Sequence, residues 1–198
     1  MDYYYITDPG KVRERNEDSV AIVENITGEK LLIVADGMGG HKDGEIASYI
    51  ALNLICERFK NISSLGNKED AISWIQSTVS EANVEIFKYV SIHPESQGMG
   101  TTIVMAVLTP SFLLIGNIGD SSGYIYKNNK LHKITVDHTL VNLLVKSGEL
   151  TEEEAKELVL ATMNGTANRD IHTGDKVEIV TLRRDGRITK EEFALRED

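Results

Sequence analysis

The 198-residue sequence predicts an α+β fold, a layered sandwich with helices packed on antiparallel sheets. Three observations carry this reading. Short segments rich in Val, Ile and Tyr cluster before residue 36 and again after residue 100. Two long segments with helical apolar spacing lie between these groups. A shorter helix pair then precedes one last strand-like run. No internal repeat, low-complexity tract or linker interrupts the order, so residues 1–198 read as one domain, large enough for a sizeable core.

Strands are expected at Tyr3–Thr7, Ser19–Glu24, Lys30–Ala35, Thr101–Leu108, Phe112–Ile118, Gly123–Tyr126 and Val177–Leu182. "TPSF" (Thr109–Phe112) and "KNNK" (Lys127–Lys130) carry the residues of tight turns between neighbouring strands. In "GEIASYIALNLICERF", Ile46, Ile50, Leu54, Ile55 and Phe59 recur at helical spacing. In Lys68–Val90, residues Ile72, Ile75, Val79, Ala82, Ile86 and Val90 do the same. Both stripes are read as core faces, with Trp74 packing beside one. The shorter pair is Thr139–Ser147 and Thr151–Leu160, split by "SGEL". There Gly148 suits a C-cap, and Thr151 with Glu154 suits a capping box.

Hydrophobic residues make up 41% and charged residues 26%, the balance of an ordinary globular protein. Lys plus Arg is 21 against 31 for Asp plus Glu, a net charge of −10. That field disfavours nucleic acid and anionic membranes as partners. The one dense basic patch, "RRDGR", contains its own Asp185 and reads as a solvated turn. Cys56 is the single cysteine and sits among apolar residues, which points to core packing and a cytoplasmic setting. "MDYYYITDPG" lacks the basic-then-apolar pattern of a signal peptide, and no apolar run reaches the roughly 18 residues of a membrane span.

The chemistry concentrates where strands end. "LLIVADGMGGH" stops an apolar run at Asp36 and follows it with Gly37, Gly39 and Gly40. "RERNEDSV" places Glu17 and Asp18 before a strand, close after Arg13; "NIGDSS" puts Asp120 after another; "TVDHT" sets Asp137 and His138 before a helix. Taken singly, each has a structural reading as a turn or a helix cap. Together, acidic groups beside glycines and small polar residues suit hard divalent cations, which take oxygen ligands. There is no HExxH or CxxC for zinc, no GxxxxGK[ST] loop, and "GMGGHKDG" lacks GxGxxG spacing.

The chain resembles the protein phosphatase 2C, or PPM-type, metal-dependent Ser/Thr phosphatases, in particular the compact bacterial ones. The matching blocks are "TDPGKVRERNEDSV", "LLIVADGMGGHKDGEIAS", "GMGTTIVMAVL", "NIGDSSGYIY" and "KITVDHTLVNLLVKSGELTEEEA", in the family's order, over residues 7 to about 155. The resemblance implies a four-layer sandwich, two antiparallel sheets flanked by helix pairs, with a metal cluster at one edge. In such a site Asp36 bridges two metal ions and the Gly37 carbonyl is a ligand of one. Glu17 and Asp18 order the metals' waters, Asp18 counting among the metal-binding residues. Arg13 holds the phosphate, and Asp120 matches a third, weaker metal position. The implied activity is hydrolysis of phosphoserine and phosphothreonine in phosphoproteins by a water activated by Mn²⁺ or Mg²⁺. The implied partners are the phosphoprotein substrates of a Ser/Thr kinase, in cytoplasmic signalling.

The sequence also departs from the family. Ser122 replaces the arginine of "GDSR", and Met38 stands where eukaryotic members carry a histidine proposed as general acid. The match is weak over 156–198, where the usual Ser-Asp-Gly-Leu-Thr strand end is absent and "RRDG" with Asp185 is the nearest text. Asp175, before Val177–Leu182, fits the family's last metal aspartate, with Lys176 in place of asparagine. A shortened member, a stage II sporulation protein E-like phosphatase, and a degenerate pseudophosphatase that binds phosphoproteins without hydrolysing them would all look like this. The intact Arg13, Glu17, Asp18, Asp36 and Asp120 favour the enzyme.

Overall fold

A computed structural model describes residues 2–11, 13, 15–39, 43–138, 151, 153–154, 176–182 and 188–194. The chain divides into two compact units, Met1–His138 and Thr139–Asp198. The first opens with strands β1 (Asp18–Glu24) and β2 (Lys30–Met38), followed by helices α1 (Asp43–Lys60) and α2 (Lys68–Ile92). A 3₁₀ turn at Pro94–Ser96 leads to β3 (Gly100–Thr101), β4 (Ile103–Leu108), β5 (Leu113–Ile118), β6 (Tyr124–Lys127) and β7 (Lys130–Lys133). Strands β1, β2, β4 and β5 are hydrogen-bonded in that order, all antiparallel, and β3 pairs with the end of β2. Strands β6 and β7 form their own ribbon. Its turn is closed by Asn128 and Asn129 at φ 54° and 58°, the primed geometry that suits right-handed strand twist.

Alternation along the strands builds the core. Leu31, Ile33 and Ala35 of β2 and Ile103, Met105 and Val107 of β4 are buried on one face of the sheet. The helix pair covers that face. Asn67 caps α2, its side chain accepting from the Asp70 N–H at 2.9 Å. Along α1, Ala47, Ala51, Ile55 and Phe59 are buried at four-residue intervals. Of the expected stripe, Ile55 and Phe59 are in the core, and Ile46, Ile50 and Leu54 sit at its margin. Those three are only partly buried, because the alanines let the helix axis lie close to the sheet. Trp74 packs edge-on against Phe59, ring centroids 5.5 Å apart, as a core residue.

The strand expected at Tyr3–Thr7 does not form; these residues pair with no strand. Three consecutive tyrosines raise strand propensity without an alternation that any register could bury. Tyr4 and Tyr5 instead line a groove of about 200 Å³ along the sheet with Val20, Leu32, Val34 and Val104. Strand β7, "KLHK", was not expected; its residues are all exposed and it exists as the partner of β6.

One buried carboxylate ties the first hairpin to the helix pair. Glu29, 6% exposed, accepts from Asn25 Nδ2 at 2.6 Å, the Ser64 hydroxyl at 3.0 Å and the Leu65 N–H at 3.0 Å. Truncation leaves buried donors unpaired, so Glu29→Ala is expected to cost about 3 kcal/mol. Urea denaturation measures this; an unchanged midpoint would show that the cluster contributes nothing. Cys56 is buried in the core, where desolvation pushes its thiol pKa up to about 11. At neutral pH the thiolate is then scarce. Iodoacetamide is expected to leave Cys56 unmodified in the native protein and to label it in urea, read by mass spectrometry.

In the second unit, β8 (Lys176–Leu182) and β9 (Ile188–Ala194) pair antiparallel, Leu182 opposite Ile188. The expected strand at Val177–Leu182 is thus present, and the strand after "RRDG" was missed. Most of the expected helix pair 139–160 lies outside the described residues. The capping box is visible: the Thr151 N–H donates to Glu154 Oε2 at 2.7 Å and the Glu154 N–H to Thr151 Oγ1 at 3.2 Å. No helix among the described residues is long and apolar enough to cross a membrane.

Candidate active site

Strand β2 extends to Met38, so Asp36 and Gly37 are strand residues and not the start of a loop, as the sequence suggested. The extension has two causes. Gly37 and Met38 pair with Thr101 and Gly100 of β3, and the Gly37 N–H donates to the Glu17 carbonyl at 3.1 Å. Since Leu31, Ile33 and Ala35 face the helices, strand parity puts Asp36 on the opposite face. Strand β1 likewise begins one residue earlier than expected, and Asp18 lies directly opposite Asp36. The two carboxylates meet because of strand register.

Hydroxyls and backbone fix this pair. The Asp36 N–H donates to Thr102 Oγ1 at 3.0 Å, and the Asp36 carbonyl accepts from the Thr102 N–H at 2.8 Å and the Thr101 hydroxyl at 3.0 Å. Thr102 Oγ1 in turn lies 2.7 Å from Ser121 Oγ. The Asp18 N–H donates to Asn16 Oδ1 at 3.0 Å. From α1, the buried Ser48 hydroxyl donates to the Glu17 carbonyl at 2.7 Å, the same acceptor that holds Gly37.

The backbones of β2 and α1 approach too closely for a side chain. A Cβ on Gly37 would lie 2.0 Å from the Gly44 carbonyl oxygen. One on Gly44 would lie 2.9 Å from the Gly37 carbonyl and 3.0 Å from Glu17 Cδ. Sequence reasoning missed Ser48, Gly44, Thr101 and Thr102. All sat in quoted motifs, but only folding reveals their hydrogen bonds and clearances.

Asp36 has a carboxyl pKa raised above the usual value. Burial contributes most, followed by the Asp18 charge and hydrogen bond and the more distant Asp120 charge, with Arg13 opposing. Arg13 pairs with Glu17, four residues on in a non-helical segment, Nη1 to Oε2 at 3.0 Å. Glu17 thereby holds the guanidinium at the rim of the carboxylate pair. Asp120 follows Gly119, whose φ of +94° and missing Cβ admit the Thr102 side chain. Ser122, at the family's arginine position, donates to Asp137 at 3.3 Å, and Lys133 pairs with the same carboxylate at 2.7 Å.

The structure thus brings Asp18, Asp36 and Gly37 together, with Arg13 and Glu17 beside them. Asp120 acts on Asp36 through its charge, but no three-carboxylate cluster forms among the described residues. Asp175 and Asp185 lie outside the described residues. Two adjacent carboxylates, one resisting ionisation through burial first and the other's charge second, next to a strand-end carbonyl, fit the demand of a hard divalent cation.

The fold is an antiparallel sheet backed by a helix pair, with two carboxylates paired across β1 and β2, and the comparisons identify the class. The model of the protein phosphatase 2C family matches residues 11–190, and the chain belongs to that family. A relative named serine/threonine phosphatase stp, from Listeria monocytogenes, is 41% identical over 155 residues, covering 78% of this chain and 62% of its own length. The crystal structure of the serine/threonine phosphatase Stp1 from Staphylococcus aureus matches with a TM-score of 0.67 at 38% identity, over 75% of this chain and 58% of that one. The catalytic domain of the phosphatase PstP in complex with two manganese ions matches with a TM-score of 0.63 at 35% identity, over 76% and 61%. The chain spans about 62% of the length of the curated relatives it matches first.

Proposed function

We propose that this chain is a metal-dependent phosphoprotein phosphatase acting on phosphoserine and phosphothreonine, residues 1–198 serving as one domain. The observation that carries the reading is the Asp18–Asp36 pair, set by strand register beside Gly37 and the Arg13–Glu17 ion pair. Family membership and relatives named as serine/threonine phosphatases support it. Asp18, Asp36 and the Gly37 carbonyl would hold Mn²⁺ or Mg²⁺, with Asp120 toward a weaker third ion and Asp175 the sequence-based choice for the remaining carboxylate. The complex of PstP with two manganese ions favours manganese.

When bound, the cations acidify a water and neutralise charge developing on the phosphoryl oxygens. The chain supplies the rest. Thr101 and Thr102 hold the Asp36 backbone still, and the missing side chain of Gly37 lets the α1 backbone pack against it at Gly44. Glu17 keeps the Arg13 guanidinium ready to donate to phosphate oxygens. Buried Cys56 takes no part. The substrates are phosphoproteins of a Ser/Thr kinase, acted on in cytoplasmic signalling.

Removing the guanidinium removes charge-assisted bonds to phosphate, so Arg13→Ala is expected to raise KM for a phosphopeptide about tenfold. Calorimetric metal affinity should stay within about twofold. An unchanged kcat/KM would reduce Arg13 to a surface ion pair.

A second reading, a pseudophosphatase that binds phosphoproteins, draws on Ser122, which bonds Asp137 where the family carries arginine. One titration separates the two. With p-nitrophenyl phosphate and added Mn²⁺ or Mg²⁺, the enzyme gives saturable hydrolysis that EDTA abolishes. Metal binding by calorimetry without turnover would establish the second reading, and hydrolysis surviving EDTA would overturn both.

A further inference from the structure

Between the C-terminal half of α2 and the β2–β3 edge runs a groove of about 690 Å³. Ile86, Phe87 and Val90 line it from α2, and Met38, Met99 and Thr101 from the strand side. None of the described residues lining it carries a charge, on a chain of net charge −10. Phe87 and Met38 are 66% and 63% exposed, large apolar groups left open to solvent. The groove is also continuous with the site. Met38 directly follows Gly37, Gly100 pairs with Met38, and Thr101, which donates to the Asp36 carbonyl, is part of the lining. An extended peptide advances about 3.3 Å per residue. Met38 lies two residues beyond Asp36 on the same strand, so a peptide with its phosphate at Asp36 and Arg13 that runs toward the β2–β3 edge would bring its next few side chains to this groove.

The geometry points to this groove as a subsite for an apolar side chain flanking the phosphorylated residue of a peptide substrate. The inference rests on the phosphatase reading above and adds the sequence preference of the substrate. An aliphatic or aromatic side chain placed there sheds water against Ile86, Phe87 and Met99. A flanking carboxylate would lose solvation beside Phe87, find no cation among the described lining residues, and enter the field of an acidic chain. A flanking Lys or Arg would find no carboxylate among the described lining residues either. Selection works by rejecting charge as much as by accepting apolar surface.

The test uses phosphothreonine peptides bearing Leu, Ala or Asp at each of the three positions on either side. For the wild-type chain, kcat/KM is expected to be about tenfold higher for Leu than for Ala at one or two positions on one side, and lower still for Asp. In Phe87→Ala the Leu-to-Ala ratio should fall toward one, and in Phe87→Leu it should be largely kept. A ratio near one at every wild-type position, or one unmoved by Phe87→Ala, would overturn the subsite. If the wild type hydrolyses neither p-nitrophenyl phosphate nor any peptide, the phosphatase reading fails by itself. The subsite is then decided by fluorescence anisotropy of the same peptides, where equal binding of Leu and Ala peptides would overturn it and a Leu preference lost in Phe87→Ala would sustain it.

Discussion

An Asp36→Asn variant is expected to lose metal-stimulated hydrolysis by about a thousandfold, because the carboxylate proposed to bind the cations becomes a neutral amide. It should also change how stability depends on pH. The Asp36 carboxyl pKa is raised in the fold above the 3.8 of the free group, by burial first and the Asp18 charge second. Between those two values the native state holds a proton that the unfolded chain has released. Asp36 therefore stabilises the fold below about pH 4, and that contribution is lost as pH rises through the raised value. The amide cannot ionise and escapes the loss. In EDTA, the melting temperature of Asp36→Asn relative to wild type should climb as pH rises from about 4 toward neutrality. Added Mn²⁺ should close the gap by stabilising only the wild type. A difference that stays flat with pH would show that Asp18 and Asp36 do not repel one another.

The second large effect is expected at Gly44, a residue with no side chain to contribute. By helix propensity alone, Gly44→Ala in the first turn of α1 should stabilise, by up to about 1 kcal/mol. The packing reverses the sign. The new methyl would meet the Gly37 carbonyl at 2.9 Å and Glu17 Cδ at 3.0 Å, so strand, helix or both must move. A forced shift of this kind costs about 2–3 kcal/mol. It displaces both the carbonyl offered to the cation and the carboxylate that holds Arg13, so kcat/KM should fall about a hundredfold. Gly28→Ala is the control. Gly28 also resists substitution, with φ +83°, but nothing lies within 4 Å of its added Cβ. That variant should show backbone strain of about 1–2 kcal/mol and full activity. Urea denaturation and phosphopeptide kinetics on the pair distinguish a local collision from general glycine intolerance; equal activity in both variants would remove Gly44 from the site.

The legible parts of this fold were those where one residue type does one job. Val, Ile and Leu in β2 and β4 announce strands, and Asn128 with Asn129 announces a primed turn. Asp36 and Asp18 are visible as candidates because several acidic groups recur together beside glycines and small polar residues, although each alone reads as a turn or cap. Their direct pairing is not, since register depends on which face the helices cover. Strand β2 runs past its expected end because Gly37, a poor strand former, is kept extended by Thr101 on one side and the Glu17 carbonyl on the other. Strands β7 and β9 carry charged, unremarkable sequences and exist through their hairpin partners. The α1 stripe is right at Ile55 and Phe59 and off at Ile46, Ile50 and Leu54, because Ala47 and Ala51, weak in any hydropathy pattern, are what a close helix selects.

Strand pairing in β1 and β2 also makes the protein unequally tolerant of length changes. Asp18 faces Asp36 through seven matched pairs that end at Glu24 and Lys30. Losing one residue inside β2 would send Leu31, Ile33 and Ala35 to the wrong face and carry Asp36 away from Asp18 in the same stroke. An added residue in the Asn25–Glu29 turn would leave that ladder and its reactive end in place, although the Glu29 tie to α2's approach would loosen. Indels in this hairpin should therefore survive at the turn and vanish from the strand, with the hydrophobic core acting as the ruler that measures out the distance to the chemistry.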